Sequence, residues 1–332
     1  MISILTVTYG ERWVYLEKVL HKLLCYPEIS QIIIVNNGST YNLKEVVAKI
    51  VTERIFIIDV SSNQGSAAGF KVGLEFALSN LKTEFLWLLD DDNLPDDNCL
   101  FNLINYWNSI EEEQKTRKLA LVCLRVNRKY LVNISNNGPI EFNFPTGNSF
   151  LGLNIFRIHS HFVYLVLRFL KNLRKLQKNS NCEFQIPFAP YGGLFLHKDL
   201  IELIGYPNRK YFVYVDDFDY TNRIQLLGGK LILLSNCKIS DLETVWHSKM
   251  SKGPFVSTYL NQRSFHTYYS TTNSVYIYIK YLAKSNIKYI INMILFLFAM
   301  IFVAILCMSF RRYVFLILAI RDGFRENLDE MA

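Results

Sequence analysis

Three consecutive aspartates, Asp90, Asp91 and Asp92, end the apolar run in the stretch FLWLLDDDNLPDD (85–97). Adjacent carboxylates repel one another unless a cation or strong donors neutralise them. Side chains alternate along a strand, so Asp90 and Asp92 are expected on one side and Asp91 on the other. Two carboxylates so placed can hold one hard divalent cation. A solvated acidic turn that caps a helix starting at Pro95 would explain these residues equally simply.

A second acidic cluster, Asp216-Asp217-Phe218-Asp219, lies at the start of a predicted helix. A carboxylate near other acids can have a shifted pKa and serve as a general base. Capping of the helix explains one of these aspartates well and three of them poorly. Asp219 and Arg223 are spaced for an i,i+4 ion pair.

The elements that position these clusters alternate between strands and helices. Apolar strands are predicted over 2–8, 31–37, 54–60, 84–90, 119–126, 191–197 and 230–236, and helices over 11–25, 43–51, 66–81, 198–204 and from 216 onward. Continuous apolar strands between amphipathic helices indicate an α/β fold with a mostly parallel sheet covered on both faces. In such sheets ligands bind at the carboxyl ends of the strands, where both Thr8-Tyr9 and Asn36 also fall. The pair Gly192-Gly193 allows a close backbone approach.

The net charge and the hydrophobic content of the chain indicate what kinds of molecule it binds. The 332 residues carry a formal net charge of +7, and 51% of them are hydrophobic. This balance fits anionic partners such as a nucleotide or a phospholipid surface. The six scattered cysteines are predicted to be reduced, because no CxxC spacing suggests a metal or disulfide site.

Six segments together resemble the family 2 glycosyltransferases, which are inverting enzymes of the GT-A fold that use nucleotide-diphosphate sugars. The segments are ILTVTYGER, IIIVNNGST, SNQGSAAGF, LLDDDN, VDDFDYTNR and VWHSK, and they cover about residues 2–250. One departure is Asn36, which stands where the family usually has an aspartate. The resemblance is greatest to the galactofuranosyltransferase and rhamnosyltransferase branch.

The resemblance implies roles for individual residues and a Mg²⁺ or Mn²⁺ cofactor. The implied metal ligands are Asp90, Asp92 and His247, and the implied catalytic base is Asp217. The implied donor contacts are Thr8, Tyr9, Arg12, Asn36, Asn63, Gly65, Asp90 and Asp91. Gly192, Gly193 and Asp216 are expected on the acceptor side. The expected reaction moves a sugar from a nucleotide-diphosphate donor, expected to be UDP-linked, to a lipid-linked glycan. Galactofuranose is the sugar that the branch suggests, and rhamnose or another hexose is the alternative.

The tail suggests a membrane. Residues 289–310 carry no charge over 22 residues, which is long enough to span a bilayer. Basic residues precede and follow this run, so charge gives no orientation. We expect helices lying on or dipping into the cytoplasmic face of the membrane. A single spanning helix is the close alternative, and a buried core helix is the third. A basic helix near 160–178 fits two interpretations equally: a surface helix packed on the domain, or a second anchor that lies on an anionic membrane.

The predicted domains are a catalytic domain over 1–250, with a nucleotide-sugar part (1–126) and an acceptor part (127–250), and a helical membrane-associated region over 251–332. Two other protein classes are alternatives to a glycosyltransferase. A nucleotidyltransferase would share the sheet and the metal, and a degenerate membrane-anchored binding module would share the fold alone. Nucleic acid is not an expected partner.

Overall fold

The computed structural model describes residues 1–160, 163, 164, 166, 182–243 and 264–328. The chain divides into two compact units. The first comprises Met1–Ser135 and Asn181–Trp246, and the second comprises Asn136–Ser180 and His247–Ala332. The predicted boundary near residue 250 stays a prediction.

The first unit contains a nine-stranded sheet and eight helices within its described residues. The strands are β1 (Ile2–Gly10), β2 (Ile29–Ser39), β3 (Ile55–Asp59), β4 (Phe85–Asp90), β5 (Asn93–Pro95), β6 (Leu119–Arg125), β7 (Glu183–Ile186), β8 (Leu194–His197) and β9 (Lys230–Asp241). The helices are α1 (Trp13–Leu24), α2 (Leu43–Val47), α3 (Ser66–Asn80), α4 (Cys99–Ser109), α5 (Lys115–Lys118), α6 (Lys129–Ser135), α7 (Lys198–Ile204) and α8 (Asp216–Leu226).

The strands are ordered β3-β2-β1-β4-β8-β6-β9-β5, and β7 pairs with β9. The first four of these strands pair in parallel, as does β6 with β9. The α/β fold with a central sheet flanked by helices is therefore confirmed. The sheet is more antiparallel than expected, because β8 runs antiparallel between β4 and β6, and both β5 and β7 run antiparallel to β9.

The core explains why these elements form. The first strand alternates between two packed faces, and Ile4 and Leu5 on opposite faces are both fully buried. Helix α1 buries one stripe at helical spacing, with Leu16, Val19, Leu20 and Leu23. Burial on both faces of the sheet fixes the strand register, so the residues that follow each strand come to one edge.

The helix predicted to start at Pro95 is wrong in its position. Helix α4 begins at Cys99, while Asn93–Pro95 forms the short strand β5. Strand β5 pairs with β9, and Asn93 lies opposite Asp241 in the register. Apolar periodicity cannot reveal a three-residue strand whose partner lies far away in sequence. The consequence is that the chain after the three aspartates turns back onto the sheet.

The second unit is helical in its described part. Its main helices are α9 (Ser264–Ile277), α10 (Asn286–Leu306) and α11 (Phe310–Phe324), and a π-helical turn at Tyr278–Leu282 follows α9. Within the described residues, α10 is the one helix long and apolar enough to cross a membrane. The basic helix predicted near 160–178 lies almost entirely outside the described residues.

Candidate active site

The predicted polar residues come to one edge of the first unit's sheet. Strands β1 and β4 are parallel, with Val7 opposite Asp90, so Thr8 and the three aspartates leave the sheet side by side. Asn36 follows on β2, opposite Asp59 at the end of β3. Strands β6 and β9 add charged residues at the same edge, namely Arg125 and Asp241. Parallel pairing accounts for this convergence.

Asp90 is held by a buried arginine. Arg125 is 2% exposed, and its Nη1 donates to Asp90 Oδ2 at 2.7 Å. The same guanidinium donates from Nε and Nη2 to Asp241 Oδ1 at 3.0 and 2.8 Å. Asn93 accepts from the Asp90 backbone N–H at 3.0 Å and donates to Asp241 at 3.1 Å. Arg125 thus orients the Asp90 carboxylate, and Asn93 holds the Asp90 backbone.

Asp91 has a different partner. Arg12 Nε donates to both carboxylate oxygens of Asp91 at 2.8 Å, and Arg12 Nη1 lies 2.5 Å from Glu243 Oε2. Burial alone would lower the pKa of Arg12, but Asp91 and Glu243 raise it above its ordinary value. The guanidinium also lies over the ring of Tyr9, 5.3 Å from its centroid. Arg12 and Tyr9 thus line the end of β1, while Asp91 is 3% exposed beneath them.

Asp92 lies in the turn after β4, so the turn rather than strand alternation sets its position. Burial raises its pKa to about 6, and the charge of Asp90 contributes next. A hard cation bound between two neighbouring carboxylates relieves such repulsion. Asp90, whose side chain is 34% exposed, and Asp92 therefore fit a divalent cation. In the described part of the chain, no group of three His, Cys, Asp or Glu residues could hold a metal ion, and His247 lies outside that part.

Gly192 lies directly against this network. A Cβ at Gly192 would come within 2.2 Å of Asn93 Oδ1, 2.6 Å of Arg125 Nη1 and 2.8 Å of Asp90 Oδ2. The next residue, Gly193, has φ +96° and donates its N–H to Leu88 O. The close approach predicted for the glycine pair is confirmed: Gly192 lies against the Asp90 network, and Gly193 lies against Ile239 and Cys123. A contact of either glycine with an acceptor stays a prediction.

The second acidic cluster begins α8 after an unusual turn. Tyr214 and Val215 both have left-handed backbones, with φ of 68° and 65°. A β-branched residue such as Val215 seldom adopts this conformation, so the turn is strained. The turn places Asp216 and Asp217 in the first turn of α8, where the positive end of the helix dipole stabilises negative charge. The predicted ion pair between Asp219 and Arg223 is confirmed.

Asp216 and Asp217 have different surroundings. Asp216 is 4% exposed and accepts from Ser66 Oγ at 2.7 Å, and burial followed by the Asp217 charge raises its pKa to about 8. Asp217 accepts the Phe218 N–H at 2.8 Å. Burial raises the pKa of Asp217 to about 6, with the charge of Asp90 acting in the same direction. The fold therefore brings Asp217 into electrostatic range of Asp90, although 126 residues separate them in the chain.

The loop after β3 supports the second cluster. Gly65 has φ +86°, and a Cβ there would lie 1.8 Å from Phe212 O. Ser66 donates its N–H to the same Phe212 oxygen at 3.0 Å. Asn63 Oδ1 accepts the Gly65 N–H, and the buried Asn37 side chain bonds this loop from β2. Asn63 and Gly65 thus shape the loop, and their contact with a donor stays a prediction.

Asn36 stands beside a carboxylate supplied by another strand. Its Nδ2 donates to Asp59 Oδ1 at 2.9 Å, and its Oδ1 accepts the Ser39 N–H at 3.0 Å. Asp59 also pairs with Lys44 at 2.6 Å, and hydrogen bonds from Lys44 and Asn36 lower its pKa. An ionised carboxylate is therefore present next to the position where the family usually carries one.

Several residues of this site escaped the sequence reasoning, namely Asn93, Arg125, Asp241, Glu243, Ser66 and Asp59. Arg125 carried a usable signal, because it is a charged residue at the end of an otherwise apolar predicted strand. Asp241 carried none, because β9 continues five residues past the predicted strand end at 236. A single sequence does not show which distant charges meet.

Comparison with known proteins agrees with this architecture. Residues 3–165 match the model of the family Glycosyl transferase family 2. A crystal structure of GalNAc-T7 with UDP, GalNAc and Mn²⁺ is similar at 14% identity and a TM-score of 0.53, covering 83% of this chain and 48% of that one. The first 349 residues of S. aureus TarS, crystallised with UDP, are similar at 12% identity and a TM-score of 0.45, covering 72% of this chain and 60% of that one. No curated protein matches.

The family match and the similarity to GalNAc-T7 establish the GT-A fold. The chain spans about half the length of the GalNAc-T7 structure. At such low identity the similarity concerns the fold alone, so the activity must be argued from the site itself.

Proposed function

We propose that the chain is an inverting glycosyltransferase that moves a sugar from a nucleotide-diphosphate donor to an acceptor hydroxyl. The observation that carries the proposal is that Asp217, at the start of α8, lies within electrostatic range of Asp90, which lies beside Asp92 at the end of β4 in a GT-A fold. Sugar transfer uses both features. A cation at Asp90 and Asp92 would balance the charge that the leaving diphosphate gains, and Asp217 would take the proton that the attacking hydroxyl loses.

Each side chain has a role in this reaction. Asp90 and Asp92 would hold a Mg²⁺ or Mn²⁺ ion, which when bound neutralises charge on the diphosphate. Asp217 accepts the proton of the attacking hydroxyl, because within the described residues it forms no salt bridge that would keep its pKa low. Attack from the face opposite the leaving group inverts the anomeric centre in a single displacement.

The donor is placed by the ends of β1 and β2. Tyr9 is 41% exposed beside Arg12 and offers a ring face for a nucleobase. The Asn36–Asp59 pair offers an amide and a carboxylate oxygen for hydrogen bonds to the nucleoside. We propose a UDP-linked donor, with galactofuranose as the first sugar to test and rhamnose or another hexose as the alternatives.

The proposed acceptor is a lipid-linked glycan at the cytoplasmic face of the cell membrane. Support comes from the apolar helix α10, in whose most apolar 18-residue window only 28% of residues are buried. An enzyme whose acceptor is anchored in lipid gains effective concentration by binding the same surface.

The test is a screen of nucleotide-diphosphate sugars with Mn²⁺, with the mass of each product and the released nucleotide measured. We expect release of a nucleoside diphosphate, its loss in excess chelator, and its recovery when Mn²⁺ is restored. Asp92→Asn should lose most activity, whereas Asp97→Asn, at an exposed surface position, should keep it. Release of pyrophosphate in a parallel reaction that supplies a nucleoside triphosphate and a sugar 1-phosphate would identify a nucleotidyltransferase instead. Full activity in chelator would exclude the metal-dependent mechanism, and no turnover of any donor would favour a binding module.

A further inference from the structure

Helices α10 and α11 of the second unit present an apolar surface to solvent. On α10 the exposed residues include Ile287 (72%), Phe298 (68%), Phe302 (63%) and Leu306 (68%). On α11 they are Phe310, Val314, Ile317 and Phe324, each at least 40% exposed. Scattered single apolar residues need no explanation, but a continuous face along two helices marks an interaction surface.

The two helices form a hairpin. Tyr313, near the start of α11, donates its hydroxyl to Leu297 O on α10 at 3.3 Å. Phe324, at the end of α11, contacts Tyr289, near the start of α10, with ring centroids 6.4 Å apart. Helix α11 therefore runs back along α10, and the exposed Met308 lies at the tip.

The charges on α11 are incompatible with a hairpin that crosses a bilayer. Between Arg312 and Arg321 only eight uncharged residues occur, which span about 12 Å of helix. A bilayer core is about 30 Å thick. A hairpin inserted tip first would carry Arg311 and Arg312 to the far side or into the core, and Arg321 would follow them into the core. Charged side chains in that position are strongly disfavoured.

Helix α10 is also tied to a polar loop near its start. The side chain of Asn292 is fully buried, where its Oδ1 accepts the Ile155 N–H at 2.9 Å and its Nδ2 donates to Asn148 O at 2.8 Å. Ser285 donates its N–H to Asn148 Oδ1 at 2.7 Å, so the same loop holds the residue before the helix. Beyond Asn292 only 14 residues of α10 remain, or about 21 Å, which is shorter than the bilayer core.

We infer that the α10–α11 hairpin lies along the plane of the membrane within one leaflet, with its apolar face among the acyl chains. This inference rests on the proposed membrane association but not on the sugar-transfer reaction. The lipid partner is anionic. Residues 264–328 carry seven Lys and Arg against two Asp and Glu, and one of those acids, Asp322, is buried against Tyr268. Lysine and arginine side chains beside an apolar face reach the headgroups while the helix stays in the acyl region.

Depth measurements on the full chain test this orientation. In a background with Cys25→Ser and Cys182→Ser, a fluorescent label would be placed singly on the native Cys307 or, with Cys307→Ser added, on Asn286→Cys or Phe298→Cys. The protein would be bound to phosphatidylcholine vesicles with or without phosphatidylglycerol, carrying nitroxide quenchers at headgroup, shallow or deep acyl positions. We expect all three labels at the same shallow depth, and tighter binding when phosphatidylglycerol is present.

The other outcomes separate the alternatives. A label at Phe298→Cys deeper than both others would show a spanning helix, and increasing depth from Asn286→Cys to Cys307 would show tip-first insertion; either overturns the inference. Equal binding to both lipid mixtures would overturn the anionic partner, and Lys284→Gln with Lys288→Gln provides the matched check by weakening binding if charge matters. Absence of vesicle binding would exclude membrane association while leaving the transferase reaction to its own assay.

Discussion

The two acidic clusters of the first unit use the same residue type in opposite settings. Asp90–Asp92 follows the carboxyl end of a buried strand and is backed by two arginines, Arg12 and Arg125. Asp216–Asp219 begins a helix, and there Arg223 pairs with Asp219. Arg125 orients Asp90 at the strand end, where Asp90 and Asp92 are placed to hold a cation. Asp217 forms no salt bridge within the described residues, and burial raises its pKa to about 6, which suits proton transfer near neutral pH.

The largest effect should come from removing the basicity of Asp217. Asp217→Asn keeps the shape and the acceptor for the Phe218 N–H, but we expect turnover to fall about 10²–10⁴-fold. Donor affinity and melting temperature should change little. Steady-state turnover, donor titration and thermal melting measure the three. If Asp216→Asn abolishes turnover while Asp217→Asn retains it, the base is the preceding residue.

The pH dependence sharpens the same comparison. Because the pKa of Asp217 is raised to about 6, the ionised base is lost as the pH falls through that value. With Mn²⁺ saturating, so that Asp92 stays ionised, turnover should rise between about pH 5 and pH 7 and then level. A pH–rate profile of the native chain and of Asp217→Asn checks this, since the residual rate of the variant should lack the acidic limb. A native profile that is flat across this range would contradict the assignment.

A smaller effect is expected from the arginine behind the first cluster. Arg125→Lys keeps the positive charge but cannot bond Asp90 and Asp241 together, so Asp90 loses its fixed orientation. Residues that orient a metal ligand typically contribute about 10–100-fold to metal affinity. Titration of Mn²⁺ by electron paramagnetic resonance, with UDP present, measures the loss. Arg223→Lys is the matched control from the second cluster and should leave Mn²⁺ affinity unchanged.

The smallest effect should come from Asp219. Asp219→Asn retains an oxygen for Arg223 but removes the charge, and a hydrogen bond to a charged group is worth about 1–3 kcal/mol. We expect a lower melting temperature and nearly normal turnover, measured by thermal melting and the transfer assay. A collapse of turnover without loss of stability would show that Asp219 takes part in the reaction. The assignment of Asp217 to catalysis and Asp219 to structure would then be wrong.

The sequence by itself determined the order and type of most elements. Apolar runs and helical periodicity located β1, β2, β4 and β6 and helices α1 and α3 to within a few residues, because burial imposes those patterns locally. The ion pair of Asp219 with Arg223 was also readable, since i,i+4 neighbours on a helix meet wherever the helix is placed. The two acidic clusters and the glycine pair were visible as motifs for the same reason.

Only the tertiary structure decided which distant residues share the site. Arg125 and Asp241 are 116 residues apart and meet because β6 and β9 are neighbours in the sheet. The short strand β5 was likewise set by pairing across the sheet, because three residues leave no periodic trace. Strand β8 falls within the strand predicted over 191–197, but its antiparallel direction was set by its neighbours β4 and β6. Backbone pairing depends on the partner strand, whereas periodicity depends only on the segment itself. The chain therefore encodes its elements locally and its active-site charges through the packing of those elements.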